Sequence, residues 1–353
     1  MASGRVRGFR GTRRVFIRGS LSLLGGWNEG GRVHAGVAWP GRSWCSVIRL
    51  VPIAQIVNGK SKMKVSGFTF LRNGQRLGYP FVASIRSILP IVDEFVIALG
   101  PSEDDTEKMV RAIGDPKIRV IPTVWNERIR NDYSVKGFVY GQQKSVALFN
   151  CTGDWAFYLE ADELVHENDL PKIRAAMERY LDDLRVEALA FDYLHFYGNA
   201  NTYVWSPRWY RSEARILRNT IPAWGPEGLF FMVLDTHKRG RYPRAALTGA
   251  TMYHYGWVRS EAQMNLKLQT VDKYWLNQPR PPVHYAAVDP ATLRWFTGTH
   301  PKVIQDWLPP ADGVFPADPD HRLTSREKKH RWMLKLERWF GVQFNKKHYR
   351  LVR

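Results

Sequence analysis

From Met63 onward the chain alternates two hydrophobic periods, and that alternation leaves few folds open. Residues 64–71, 94–99, 118–123, 155–159 and 188–196 are short apolar runs of strand character. Between them, residues 79–89, 107–113, 141–149 and 171–184 carry apolar side chains at helical spacing, with Pro80 allowed in a first turn. Strand–helix–strand order of this kind predicts an α/β fold: a Rossmann-like, mostly parallel central sheet with helices on both faces. Such sheets bind ligands at the carboxyl ends of their strands. The residues just after the first, second and fourth strands are therefore the first candidates for chemistry.

After Tyr197 the pattern changes. Residues 203–211, 215–218 and 253–257 read as short strands, and a helix spans 260–275 with Ser260 as N-cap and Glu261 beside it. Residues 279–321 are Pro-rich and read as irregular, and 325–340 are helical again. The expected organisation is a core at 63–200, a smaller α+β region at 201–278, the irregular stretch at 279–321 and a basic C-terminal helix within 322–353. Residues 1–62 stand apart: they hold 11 of the 28 glycines and no sustained apolar period. They are expected to be a low-complexity basic leader, disordered or outside the functional protein; their glycines and tryptophans spoil the amphipathic helix of a transit peptide. Two cysteines, Cys45 and Cys151, support neither a disulfide framework nor a four-ligand zinc site, which suits a reducing, cytoplasmic compartment.

Charge tests one broad class. The formal net charge of +19 invites a nucleic-acid reading. Yet residues 1–62 carry +10 and residues 322–353 carry +9, leaving thirty basic and thirty acidic residues between them. A protein that tracks phosphates carries its basic residues on its folded face, so a neutral body opposes nucleic acid as a partner. In the C-terminal helix, Trp332, Leu336, Trp339 and Phe340 fall on one stripe, with Lys328, Arg331, Lys335 and Arg338 largely elsewhere. That pattern suits peripheral contact with an anionic membrane surface, on the cytoplasmic face. The plainer alternative is a terminal helix whose stripe docks on the domain.

The most informative segment is Gly153-Asp-Trp-Ala-Phe-Tyr-Leu-Glu-Ala-Asp-Glu, an apolar strand running into Glu160, Asp162 and Glu163. Carboxylates one residue apart at a strand end can converge on a hard divalent cation such as Mg²⁺ or Mn²⁺, which takes oxygen ligands and bridges to phosphate. The plainer alternative is a polar strand terminus. In context the segment resembles the nucleotide-sugar glycosyltransferases of family 2, which have the GT-A fold: Gly153, Leu159, Glu160, Asp162 and Glu163 fall in the register of that family's glycine turn, apolar strand and Leu-Asp-x-Asp-Asp signature. Lys144 and Ser145 stand where the family has an Arg-Asn pair. Phe70-Leu-Arg-Asn fits its first strand end, and Ser102, Asp104, Asp105 and Thr106 fit its second loop without the acid that grips the nucleobase. The resemblance spans about 63–275, and a bacterial branch shares the stretches at 115–121, 193–198 and 253–257.

The resemblance implies a metal-dependent, inverting transfer of a sugar from a nucleotide-diphosphate sugar to a glycan or lipid-linked acceptor in cell-surface polysaccharide synthesis. It implies Asp162 as metal ligand, with Glu160 on the metal, its water or the ribose, and His254 as a metal or phosphate ligand; the plainer alternative for His254 is a packed aromatic strand with a satisfied imidazole. Leu71, Arg72, Asn73, Ser102, Asp104, Lys144, Glu160 and Ala161 would hold the nucleotide, with Lys144 near the diphosphate. Glu227, in Trp224-Gly-Pro-Glu-Gly, is the candidate base for the acceptor hydroxyl and Glu163 the runner-up. Trp205, Trp209, Tyr210 and Trp224 are candidates to stack on a sugar. Alternatives are a nucleotidyltransferase, which would want a stronger phosphate loop than Leu71-Arg-Asn-Gly-Gln-Arg, and a catalytically inactive nucleotide-sugar-binding relative.

Overall fold

A computed structural model describes residues 63–129, 136–276 and 280–352, within one compact unit, Lys60–Arg353. The expected leader lies outside the described residues. The first half runs β1 (Val65–Leu71), α1 (Phe81–Ile88), β2 (Glu94–Leu99), α2 (Thr106–Arg111), β3 (Ile118–Pro122), α3 (Phe138–Phe149), β4 (Trp155–Tyr158), β5 (Glu163–Val165), α4 (Leu170–Arg179) and β6 (Ala188–Tyr197). The second half runs β7 (Asn199–Val204), β8 (Ser212–Arg218), β9 (Ala223–Trp224), β10 (Met232–Leu234), β11 (Gly240–Arg241), β12 (Arg244–Trp257), α5 (Glu261–Asp272), β13 (Leu293–Trp295), α6 (Ser325–Phe340) and β14 (Arg350–Leu351).

An eleven-stranded sheet has the order β13-β7-β6-β8-β4-β1-β2-β3, with β12 beside β6 and itself carrying β5 and β14. β3, β2, β1 and β4 are parallel. β8 runs antiparallel between β4 and β6, and β12 runs parallel to β6. The sheet is thus mostly parallel and flanked by helices on both faces, as the strand–helix alternation predicts. On one face, Phe81, Ile85 and Ile88 of α1 and Ile173 and Met177 of α4 pack on Val65, Phe95, Ile97 and Phe157. On the other, Ala147 and Leu148 of α3 pack on Phe68, Val96, Ala98 and Tyr158. Burial on both faces is why β2 reads as a nearly continuous apolar run rather than an alternating one.

Three features differ from expectation. β7, β8 and β12 belong to the same sheet as the 63–200 core, so the 201–278 region is threaded into it. The strand expected at 203–211 ends at Val204, and Pro207, which has no N–H to give a ladder, stands in the stretch beyond it. β12 is far longer than the expected 253–257: Gly249 at φ +71° makes a bulge, with a register shift against β6 between Leu247 and Thr251. Helix α5 starts at its expected cap, where Ser260 accepts from the Gln263 N–H. Helix α6 has the expected bounds, with a capping box of Thr324 and Glu327 and Gly341 at φ +65° closing it.

Candidate metal and nucleotide site

The carboxyl end of β4 builds the site. The Thr69 hydroxyl donates to the Leu159 carbonyl (2.7 Å) and the Ser84 hydroxyl to the Glu160 carbonyl (3.0 Å), fixing the turn on β1 and α1. The Tyr255 N–H donates to the Asp162 carbonyl (2.8 Å), and His254 of β12 lies opposite Glu163 of β5. Glu160, Asp162 and His254 therefore meet, with one ligand atom from each within 4.8 Å of the others. Gly256 leaves the space: a Cβ there would lie 2.6 Å from the His254 ring and 3.1 Å from the Asp162 carboxylate.

A buried relay sets the state of His254. His195 Nε2 lies 2.6 Å from the Tyr210 carbonyl, which only accepts, so Nε2 carries the proton. Burial, with the neighbouring His254, holds His195 well below the usual imidazole range, hence neutral. Its Nδ1 then accepts from His254 Nδ1 at 2.9 Å. That assigns the His254 proton to Nδ1 and leaves the Nε2 lone pair facing Asp162 Oδ1 at 3.5 Å. A lone pair and a carboxylate oxygen turned toward each other suit a cation between them, and the two-oxygen, one-imidazole donor set suits Mn²⁺.

Asp162 is already surrounded by positive charge. Lys267 Nζ lies 3.0 Å from Oδ2, and Arg259 lies 3.4 Å from the same atom. Burial alone would raise this carboxyl, but Lys267 and then Arg259 hold it well below the usual carboxylate range. Glu160 behaves oppositely. Burial and then Glu163 push it up to about 7, against the pull of Arg215. Arg215, fully buried, grips Glu163 through two bonds (2.7 and 2.8 Å), reaches Glu160 at 3.1 Å, and ties both to the Leu229 carbonyl.

A cavity of about 230 Å³ opens beside these residues. Glu160, Ala161, Asp162, His254 and Lys267 form one wall, and Leu71 and Arg72 another. Tyr79, Trp125, Tyr140, Tyr158 and Trp275 supply aromatic faces. Five expected residues, Leu71, Arg72, Glu160, Ala161 and Asp162, are thus brought together with His254.

Others serve different roles. Lys144 is fully buried on α3 and donates to the Gly228 and Phe230 carbonyls at 2.8 and 2.9 Å. It also lies 3.7 Å from the centre of the Phe231 ring. Burial lowers its affinity for a proton. It braces the 225–231 loop rather than facing a diphosphate, and the loop sits so close to α3 that a Cβ on Gly141 would lie 2.5 Å from the Gly225 carbonyl oxygen. Glu163 has no exposed surface and accepts from Tyr193 (2.9 Å) as well as Arg215, so it holds the site's frame and cannot reach an acceptor hydroxyl. Asn73, at φ +52°, accepts from the Glu103 N–H, and the Ser102 hydroxyl accepts from the Asn73 N–H. Asp104 accepts from the Arg76 N–H and from Thr106. These three lock the loops after β1 and β2 together and do not line the cavity. Glu227 is half-buried, with its carboxyl raised by burial against the pull of Lys144. Its neighbours Gly228 and Leu229 line the cavity. Trp209 and Tyr210 pack on His195, Trp205 lies against Arg211 and Arg294, and Trp224 packs in the β9–β11 sheet; none faces the cavity.

Sequence reasoning missed Lys267, Arg259, Arg215 and His195. His195 lies in the 193–198 stretch and Arg259 two residues beyond 253–257, so their neighbourhoods carried signal. Lys267 and Arg215 carried none, since a lysine on a helix and an arginine on a strand usually face water.

No family model matches the sequence, and no curated protein matches it. Part of the chain is similar to glucosyl-3-phosphoglycerate synthase from Mycobacterium tuberculosis, solved in complex with Mn²⁺, uridine diphosphate and phosphoglyceric acid. The TM-score is 0.28 and the identity 21% over 37% of this chain and 44% of that one. A second is S. aureus TarS, with a TM-score of 0.27 and 17% identity over 39% of this chain and 22% of that one. The chain thus spans about half the length of the first protein and less than a quarter of the second. Among the described residues, no helix is long and apolar enough to cross a membrane.

Proposed function

We propose that the chain is a metal-assisted glycosyltransferase that moves a sugar, with inversion, from a nucleotide-diphosphate sugar to a glycan or lipid-linked acceptor in cell-surface polysaccharide synthesis. The observation that carries the reading is the convergence of Glu160, Asp162 and His254 at the end of β4, in an aromatic-walled cavity. The pathway and acceptor rest on the sequence resemblance. Glu160, Asp162 and His254 would hold Mn²⁺ or Mg²⁺, which supplies charge to offset the departing diphosphate.

The chain's own residues do the rest. Trp125 and Tyr140 offer faces for a nucleobase. Arg72 and Lys267 offer positive charge to phosphate oxygens. The bond from the anomeric carbon to the diphosphate oxygen breaks as the bond to the acceptor oxygen forms. The acceptor's proton passes to a base, for which Glu227 is the candidate, its carboxyl raised by burial.

The test is donor turnover over several nucleotide sugars with Mn²⁺, in the intact protein and in Asp162→Ala. Turnover should fall to background in the variant. Turnover that survives Asp162→Ala unchanged sinks the reading. The pairing of Asp162 with Lys267 and Arg259 favours one second reading, donor binding without transfer. Calorimetric donor binding with no released sugar for any donor would select it.

A further inference from the structure

Helix α6 reverses the usual arrangement of a terminal helix. None of its residues is buried, yet it is firmly attached. Arg331 grips Asp289 through bonds of 2.8 and 2.6 Å, and Glu337 takes two bonds from the buried Arg211, one of 2.9 Å. These attachments are polar, and they lie on the side toward the body. Trp332, Trp339 and Phe340 are instead 53%, 67% and 69% exposed, the two tryptophans edge to face at 6.2 Å. The alternative, docking of the stripe on the domain, does not hold for Trp332, Trp339 or Phe340; Leu336 alone of the stripe is half-buried.

The basic residues are also distributed differently from expectation. At 100° per residue, Lys328, Lys329, Trp332, Lys335, Trp339 and Phe340 share an arc of roughly 140°. All six are exposed, and no acid falls in the arc. Exposed Val342 and Phe344 continue the apolar patch beyond the helix. Behind the helix lies a cavity of about 660 Å³, bordered by Arg294, Lys335 and Arg338 together with the paired Arg211, Arg331 and Glu337. Its border is strongly positive. A helix that only packs on its own domain turns its rings inward. Rings and lysines interleaved on one outward face match the headgroup boundary of a bilayer, where tryptophan prefers to sit and lysine meets phosphate.

We propose that α6 docks the protein on an anionic lipid surface. Trp332, Trp339 and Phe340 enter the headgroup boundary, and Lys328, Lys329 and Lys335 pair with lipid phosphates. This goes beyond the proposed transfer reaction and does not rest on it.

The experiment is co-sedimentation of the full chain with vesicles of phosphatidylcholine, alone or mixed with phosphatidylglycerol. Two variants are compared: Trp332→Ser/Trp339→Ser/Phe340→Ser and Lys328→Gln/Lys329→Gln/Lys335→Gln. The full chain should bind the mixed vesicles far better than the neutral ones, and added salt should weaken it. The lysine variant should lose roughly fivefold in affinity per charge, and the ring variant should lose most binding. All six positions are exposed, so thermal melting should be unchanged, and donor turnover in solution should be unchanged too. Failure to bind mixed vesicles, or variants that bind like the parent, overturns the proposal; in the latter case basic residues elsewhere hold the membrane. A dimer that the ring variant dissolves, with vesicle binding unaltered, overturns it in favour of a second copy of the chain as occupant.

Discussion

Replacing His195 by Phe tests whether the relay behind His254 does what its geometry implies. His195 is 1% exposed and does not line the cavity. Its Nδ1 accepts the His254 Nδ1 proton at 2.9 Å, and its own proton is committed to the Tyr210 carbonyl. Phenylalanine fills a similar volume but accepts nothing. The His254 ring then loses what fixes both its tautomer and its rotation, and a buried N–H is left without a partner at a cost of about 1–3 kcal/mol. The His254 proton can move to Nε2, the atom aimed at Asp162, which removes one ligand from the set. Loss of such supporting partners typically costs 10–100-fold in metal affinity, or about 1.4–2.7 kcal/mol. The assay is Mn²⁺ titration by calorimetry, or by the paramagnetic resonance of free Mn²⁺, on the purified chain without donor. Thermal melting confirms folding. His195→Gln, whose side-chain oxygen can accept from His254, should recover part of the loss. A His195→Phe variant that is folded and binds Mn²⁺ as the parent does would refute the tautomer argument.

Three further outcomes follow from geometry. Lys267→Met removes an ammonium 3.0 Å from Asp162, so divalent-cation affinity should rise on the order of tenfold while donor affinity falls; unchanged cation affinity means Lys267 does not compete for Asp162. Arg215→Met leaves the fully buried Glu163 uncompensated and should cost about 3–5 kcal/mol of stability by urea unfolding; a loss below about 1 kcal/mol would contradict a frame role. Glu187 is strongly stabilised as a carboxylate: although burial pushes it up, Arg241, the Arg244 N–H and the Arg244 side chain hold it at about 2, below its ordinary 4.5. Its contribution is complete above pH 4.5 and is lost as pH falls toward 2, so Glu187→Gln should flatten the fall of the urea midpoint in that window; an equal fall in both proteins would show that the groups that titrate lie elsewhere.

Strands β1 to β4 and β6 and helices α1 to α4 were legible because each buries a face, and burial writes its period into the sequence. Glu94–Leu99 and Ser325–Phe340 have the expected bounds, the second because Thr324, Glu327 and Gly341 mark its ends chemically. β5 was invisible because three residues carry no period and its pairing with β12 is non-local. In the site, Asp162 and Glu160 were legible as acids at a strand end in the register of the family signature, and His254 only through the family resemblance. Lys144 misled: on a helix it reads as a charge for the cavity, but its ammonium turns toward the Gly228 and Phe230 carbonyls. Lys267 was missed for the converse reason, a helical lysine that turns inward to Asp162. A side chain's direction depends on what the opposite element offers, and one residue's identity does not encode that.

The bulge in β12 has a consequence for how this chain can vary. Side chains of a strand alternate faces with period two, so adding or deleting one residue shifts every later position to the other side. The irregular pairing between Leu247 and Thr251 sets the phase for all that follows, His254 included. A one-residue deletion at 248–250 would turn His254 out of the cavity and bring Tyr253 or Tyr255 toward Asp162. A two-residue change would keep the parity. Length variation in this stretch should therefore occur in even steps, and a reading frame of side-chain faces, rather than any single contact, is what the bulge protects.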